Sequence, residues 1–419
     1  MFPGSVIRKL AHSEEFFAQY QTFTSFTVQV GAPVDVDALS DAFDALLEAH
    51  PVFTAHLEQG PDGNHSIVAD DLLHPGIWVV DGSNGTPIED PGVRLDQSVS
   101  LFNLRLMPCD GGTRLTAYVH HSLADGHHIA ALLGELFLRY TAVVATGDPG
   151  PVIPEPAPKA VEVVLQERGI EQRGRSGLER FLPVMFAYDL PAAPQPPVTP
   201  STASPQAVPA NRCRLTEQET ADLEQFSRDN GLSLNAVLAA AILLAEWQLR
   251  DTPHIPIPYL YSVDLRYLLS PPVGATEGTN PLGVATYLAE IEPYTDIVEL
   301  ATDIVETLRA DLADGLIQQS VFHSGMEFRG TPPGLPPAVC CTNVSSLPSL
   351  PMPEGVELED FYSEVYCSID IPIDFYACSI AAGRLSIEHH GAKEASGESV
   401  EAVRSLLCSI PSEYGWVME

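Results

Sequence analysis

The chain has 419 residues and is 45% hydrophobic, enough to bury two cores rather than one. Its 21 Lys and Arg against 56 Asp and Glu give a formal charge of 21 − 56 = −35, which argues against nucleic-acid binding and against anionic membranes, since both recruit through basic clusters. The 37 prolines accompany an ordinary apolar content, so they belong in loops and a connector rather than in a disordered chain.

From its start, Met1-Phe-Pro-Gly-Ser-Val-Ile-Arg-Lys-Leu10 runs into Ala-His-Ser-Glu-Glu and develops no signal-peptide core, so a cytoplasmic protein is expected. Residues 23–30 alternate as a strand, and 37–49 place Leu39, Phe43, Leu46 and Leu47 on one helical face. Residues 115–121 read as a second strand. Residues 128–144 read as a helix with Leu132, Leu133, Leu136, Phe137 and Tyr140 inward. Composition changes at Gly147-Asp-Pro-Gly-Pro151 and again over 191–209, where prolines cluster. Between these breaks, residues 160–190 hold one helix or two short ones built on Val161, Val164, Leu165, Leu178, Phe181 and Leu182.

Beyond the connector, 233–250 reads as a helix. Its apolar run 236–245 is about half of the roughly 20 residues a membrane span needs, so it is expected in a core, and no transmembrane segment is expected in the chain. Residues 255–263 and 285–291 are expected strands, and 297–319 one long amphipathic helix. Residues 337–345, 364–371, 375–381 and 385–389 read as strands and 399–407 as a closing helix. No repeat appears. The expected plan is α/β (α+β), with halves at 1–150 and 211–419 joined by a Pro-rich, helix-bearing connector at 151–210. The seven cysteines show no Cys-x-x-Cys pair and read as reduced thiols rather than disulfides or a zinc site.

Chemistry concentrates in His120-His121-Ser122-Leu123-Ala124-Asp125-Gly126, where a strand ends and a loop leads to a helix. Alternation puts His121 with Leu115, Ala117 and Val119, facing a dry interior, and His120 with Thr116 and Tyr118, among groups able to hydrogen-bond it. A histidine in an apolar pocket stays neutral near pH 7 and can take a proton from a hydroxyl, so His121 is the expected general base. Asp125 either partners that base or turns away to lock the loop, and Gly126 suits a turn where a side chain would clash.

His-His-x-x-x-Asp-Gly at such a junction resembles the signature of the acyl-thioester-dependent acyltransferases, which include chloramphenicol acetyltransferase and nonribosomal-peptide condensation domains. From the first ten residues through Leu-Asn-Ala-Val-Leu-Ala-Ala-Ala-Ile-Leu-Leu244 to Pro411-Ser-Glu-Tyr-Gly-Trp-Val-Met-Glu419, the chain is similar to the polyketide-associated acyltransferases. That resemblance implies two chloramphenicol-acetyltransferase-like domains with a channel at their interface, and His121 as base. It further implies a structural Asp125 that meets an arginine of the second domain, for which Arg266 in Asp264-Leu-Arg266 is the matching position. The implied reaction is O-acylation of a long-chain diol of phthiocerol or phthiodiolone type. The implied donor is a long branched mycocerosyl group carried as a thioester on an acyl carrier domain of a fatty acid or polyketide synthase, of the mycocerosic acid synthase type. Lipid substrates of this kind would bring the protein to the inner membrane surface. The Asp-Phe-Gly-Trp-Gly element of the plant alcohol acyltransferases, another branch of that superfamily, is absent, which favours the bacterial branch. A thioester is already activated, and proton removal contributes roughly 10²- to 10⁴-fold, so no cofactor or metal is expected. Ser122, Asn343 or a backbone N–H near the motif could bind the oxyanion, and spacing does not choose among them. A monomer is expected, because two such domains build the channel within one chain.

Carrier domains are acidic, so docking on this chain calls for a local basic patch. Arg168, Arg173, Arg175 and Arg180 in the connector and Arg309 on the long helix are candidates, set against the alternative that they balance Glu167, Glu171, Glu179 and Glu306. His127-His128 is expected at a helix start, capping or exposed. His389-His390 is expected as a hydrogen-bonded or exposed pair. Of Cys340-Cys341, alternation buries one, and neither has an evident activator. The competing functions are an amide-forming condensation enzyme and a non-catalytic lipid- or carrier-binding scaffold.

Overall fold

Alternation along residues 23–30 produces a strand with those bounds, Phe23–Val30, whose Phe26, Val28 and Val30 share one buried face. The computed structural model describes residues 5–69, 74–80, 91–185, 187–188, 190, 204–323, 335–347, 350–368, 374–391 and 397–413. Among these, Phe23–Val30 is central to a six-stranded sheet ordered Ile77–Val79, Phe102–Cys109, Gly112–His120, Phe23–Val30, Leu358–Cys367, Gln206–Ala207. Helices Val36–Ala49 and Gly126–Thr146 cover its apolar face, with Leu39, Phe43, Leu46, Leu132, Leu133, Leu136 and Phe137 against Leu104, Leu115, Ala117 and Val119. Burying each such side chain contributes about 1.5–3 kcal/mol. Gly126–Thr146 is long and apolar enough by composition to cross a bilayer, but half of that stretch is buried in this core.

The second six-stranded sheet runs Leu282–Ala289, Ile257–Asp264, Val339–Ser346, Asp374–Ala381, Arg384–His390, Ala210–Arg214, with the second to fourth strands parallel. Helix Leu234–Leu249 lies on it. Every residue from Ala236 to Glu246 is buried, because helices Glu217–Asp229, Ile297–Ala313 and Glu398–Glu413 wrap the faces that the sheet leaves. An all-round apolar helix is the pattern this placement requires.

Several expectations change. The helix expected over 297–319 stops at Ala313 and restarts as Leu316–Ser320, because Gly315 takes a left-handed φ of 70° that breaks the ladder. Of 160–190, only Val161–Glu167 is α-helical, followed by a 3₁₀ turn at Leu178–Phe181; residues 191–203 lie outside the described ones. The strand expected over 364–371 is Leu358–Cys367, with 369–371 outside the described residues. That strand, which follows the connector in sequence, and Gln206–Ala207 at the connector's end complete the first sheet. The halves are thus interleaved by a strand. Helix His12–Gln19 and the three-stranded sheet Ser5–Lys9, His65–Ala69, Ala55–Gln59 had no predicted counterpart. All seven cysteines remain thiols.

Candidate active site

Pairing between Gly112–His120 and Phe23–Val30 ends at Phe23 opposite His120. The chain then turns, and Gly126 opens the next helix with Asp125 as its N-cap. The two histidines therefore part company, though not as alternation placed them. His120 is the wholly buried one: Nδ1 lies 2.7 Å from Ser122 Oγ and Nε2 2.9 Å from Gln97 Oε1. Burial, with neighbouring His121 and His65, pushes its pKa down to about 3.

His121 lies one residue beyond the strand, so the apolar row ending at Val119 does not extend to it. It sits at the seam of the two halves. Its N–H donates to the Thr22 carbonyl at 2.8 Å, and its own carbonyl accepts from Asn280 Nδ2 of the second half at 2.8 Å. Its ring stacks on Phe17 with centroids 4.2 Å apart and planes 10° from parallel. The residue is partly reached by solvent, whereas Nδ1 is buried with no hydrogen-bond partner. Burial holds its pKa below the ordinary histidine value, opposed in part by backbone carbonyls, the Asp125 charge and Asn280, so the imidazole is neutral near pH 7.

Asp125 faces away from that ring. Its carboxylate takes both terminal nitrogens of Arg266 at 2.8 and 2.9 Å and accepts the His128 N–H at 2.9 Å. Its own N–H donates to the Thr279 carbonyl at 2.9 Å. Arg266 and Asp125 are both buried, and Asp264 adds a further contact to Arg266 at 3.3 Å. Of the two arrangements open to Asp125, its contacts are those of a residue turned away from the ring. Gly126 does not adopt a left-handed φ, so its place is the first turn of the helix rather than a tight turn.

A cavity of about 360 Å³ begins at Gly126 and His127 and runs into the second half between the sheet and two helices. Leu238, Ala239, Ile304, Val305 and Leu308 make its wall apolar, while Asp264, Thr342 and Asn343 supply polar edges. His121 is not among the lining residues. Of the oxyanion candidates, Ser122 is wholly buried with its hydroxyl against His120, while Asn343 borders the cavity and donates to Asn235 Oδ1 at 2.5 Å.

The connector arginines separate. Arg180 is committed to Asp311 at 2.9 Å and to Thr286, and Arg168 to the carbonyls of Pro271, Pro272 and Val164 beside Glu277, so neither is available for docking. Their partners are not the glutamates named from sequence; Glu167 pairs with Lys159 and Glu179 accepts the Ser176 N–H. Arg173, Arg175 and Arg309 are exposed. His128 is buried against Phe53 rather than exposed, with its pKa lowered to about 4 by burial, because it begins the inner face of its helix. His127 borders the cavity, 3.8 Å from Asp264. His389 and His390 are buried against Tyr376 and Phe375, not exposed. Cys341 lies on the cavity wall, where hydrogen bonds with Cys378 and Tyr259 hold its thiol below the usual range.

Phe17, Thr279 and Asn280 touch the motif and were not foreseen. Only Asn280-Pro281 carried a signal, that of a turn, and nothing in it pointed at residue 121.

A family model described as phthiocerol/phthiodiolone dimycocerosyl transferase C-terminus matches residues 204–390. The phthiocerol/phthiodiolone dimycocerosyl transferase of Mycobacterium ulcerans is 64% identical over 419 residues, covering 100% of each chain. The structure of polyketide synthase associated protein 5 from Mycobacterium tuberculosis superposes with a TM-score of 0.87 at 58% identity, over 99% of this chain and 100% of that one. The epimerization domain from the third module of tyrocidine synthetase B shares the fold, at TM-score 0.69 and 14% identity over 98% of this chain and 97% of that one.

Proposed function

The chain belongs to the phthiocerol/phthiodiolone dimycocerosyl transferase family, and on that premise we propose that His121 is the general base with which this acyltransferase esterifies the hydroxyls of a long-chain diol of phthiocerol or phthiodiolone type. The acyl group is a long branched mycocerosyl chain carried as a thioester on an acyl carrier domain of a polyketide or fatty acid synthase of mycocerosic acid synthase type. The observation that supports this most is the uncharged, partly accessible imidazole of His121 at the seam of two halves.

In the reaction, the His121 imidazole removes the proton of the acceptor hydroxyl as its oxygen attacks the thioester carbonyl carbon. The tetrahedral intermediate then expels the carrier thiolate, which takes the proton from the imidazolium. One C–S bond breaks, one C–O bond forms, and His121 returns to its neutral state. Its depressed pKa keeps it able to accept at neutral pH, and general base catalysis of this type contributes about 10²- to 10⁴-fold. The two halves cooperate through Arg266 and Asn280, which hold the loop that carries the base. The apolar cavity opening at Gly126 offers alkyl chain a dry route beside the motif. Arg173, Arg175 and Arg309, the exposed arginines of those considered, are where an acidic carrier domain docks.

The test incubates the purified protein with a fatty acyl thioester on its carrier domain and a long-chain diol, with mass analysis of the lipid. Mono- and diester products are expected. Absence of ester from every donor and acceptor, or amide formation alone with amine acceptors, contradicts the proposal.

A further inference from the structure

We propose that Phe17 is a positioning residue for the base: its ring, stacked on His121 at 4.2 Å with planes 10° apart, sets the plane in which the imidazole meets the hydroxyl. This rests on His121 acting as the base.

A catalytic histidine is commonly oriented by a hydrogen bond from its second nitrogen to a third group. At His121 that device is weak: the carbonyls of residues 121 and 124 and the Asn280 side chain act on the ring, without a close hydrogen bond to Nδ1. Nδ1 is buried without a hydrogen-bond partner. The nearby carboxylate of Asp125 is taken by Arg266 and the His128 N–H. Hydrogen bonds to the Thr22 carbonyl and from Asn280 Nδ2 fix the backbone of residue 121 and leave its side-chain torsions largely to packing. A stacked aromatic supplies that packing, since offset or parallel ring pairs have a preferred geometry that a flexible aliphatic chain lacks.

Helix His12–Gln19, which carries Phe17, is too short to hold its shape alone. Two buried carboxylates clamp it. Glu14 accepts from Arg8 at 2.6 and 2.8 Å, from the Ala11 N–H at 2.8 Å and from Thr279 Oγ1 at 2.8 Å. Glu15 accepts the His65 N–H at 2.6 Å and lies 2.8 Å from His65 Nδ1. Thr279 holds both this helix and, through its carbonyl, the N–H of Asp125. The aromatic and the motif loop are therefore registered to one another through the same residue of the second half.

Phe17→Ala, Phe17→Leu and Phe17→Tyr are made in the full chain and compared by the pH profile of acyl transfer and by melting temperature. Loss of orientation is expected to lower kcat about 10- to 100-fold in the Ala and Leu variants, with KM little changed, and Phe17→Tyr to restore it. In Phe17→Ala the ring gains water while Asp125, Arg266, His120, Glu14 and Glu15 stay in place, so the acid limb of the profile moves up toward about 6.5. In a His121→Ala background, Phe17→Ala should cost nothing further. An equal loss in that background, or a folded Phe17→Leu with native kcat and an unmoved acid limb, overturns the inference and leaves the base intact. Full activity of His121→Ala alone removes the base and, separately, the premise for Phe17.

Discussion

Arg266 of the second half grips Asp125 of the motif with both terminal guanidinium nitrogens, at 2.8 and 2.9 Å, and neither residue is exposed to water. The pair ties the loop before helix Gly126–Thr146 to the residues that follow strand Ile257–Asp264 in the second half. Asp125→Ala leaves a buried cation with Asp264, at 3.3 Å, and the Ala275 carbonyl, at 3.4 Å, as remaining partners, and removes the helix cap. Its expected cost is about 3–5 kcal/mol of stability in denaturant unfolding. The double variant Asp125→Ala, Arg266→Met should lose less than the sum of the single changes. A cost for Asp125→Ala under about 1 kcal/mol would contradict this reading of the pair.

Buried neutral histidines make stability fall with acid. In the folded chain burial lowers the pKa of His120 to about 3 and that of His128 to about 4, against an ordinary histidine value of 6.5. Unfolded chain therefore takes up protons below pH 6.5 that folded chain refuses. The stabilisation is complete above that pH, is lost as pH falls toward 4, and levels off below about 3. Thermal melts across that window should show a decline of a few kcal/mol, reduced in His128→Leu, whose ring nitrogens have no hydrogen-bond partner to lose. A melting temperature constant between pH 7 and 4 would exclude it.

Strand 23–30, the buried run 236–245 and the Asp125–Arg266 pair are all legible in the sequence, the strand from its alternation, the run from its unbroken apolar length and the pair from the family resemblance. The orientation of His121 could not. Alternation holds only as long as a strand is paired, and the ladder stops at His120, so the side chain one step later follows the turn instead. Phe17 was hidden for a different reason, since its contact spans about a hundred residues and depends on a helix held by buried glutamates whose partners lie at positions 8, 65 and 279. Arg180 looked like a surface cation in a basic stretch. Only the fold reveals Asp311 beneath it.

Arg309 lies on the helix whose Ile304, Val305 and Leu308 wall the cavity, so carrier docking there would deliver the acyl chain beside it. Arg309→Glu is expected to raise KM roughly 10-fold for a carrier-bound donor at low salt, with transfer from a short soluble thioester unchanged. Equal kinetics with the carrier-bound donor would remove this residue from the docking surface.

The most direct measurement is ester formation by His121→Ala, assayed with carrier-bound thioester and diol beside a circular dichroism spectrum and a melt. Loss of base catalysis predicts a fall in kcat of about 10²- to 10⁴-fold with the fold retained. A folded His121→Ala variant that esterifies the diol at the native rate would contradict the central role of that imidazole.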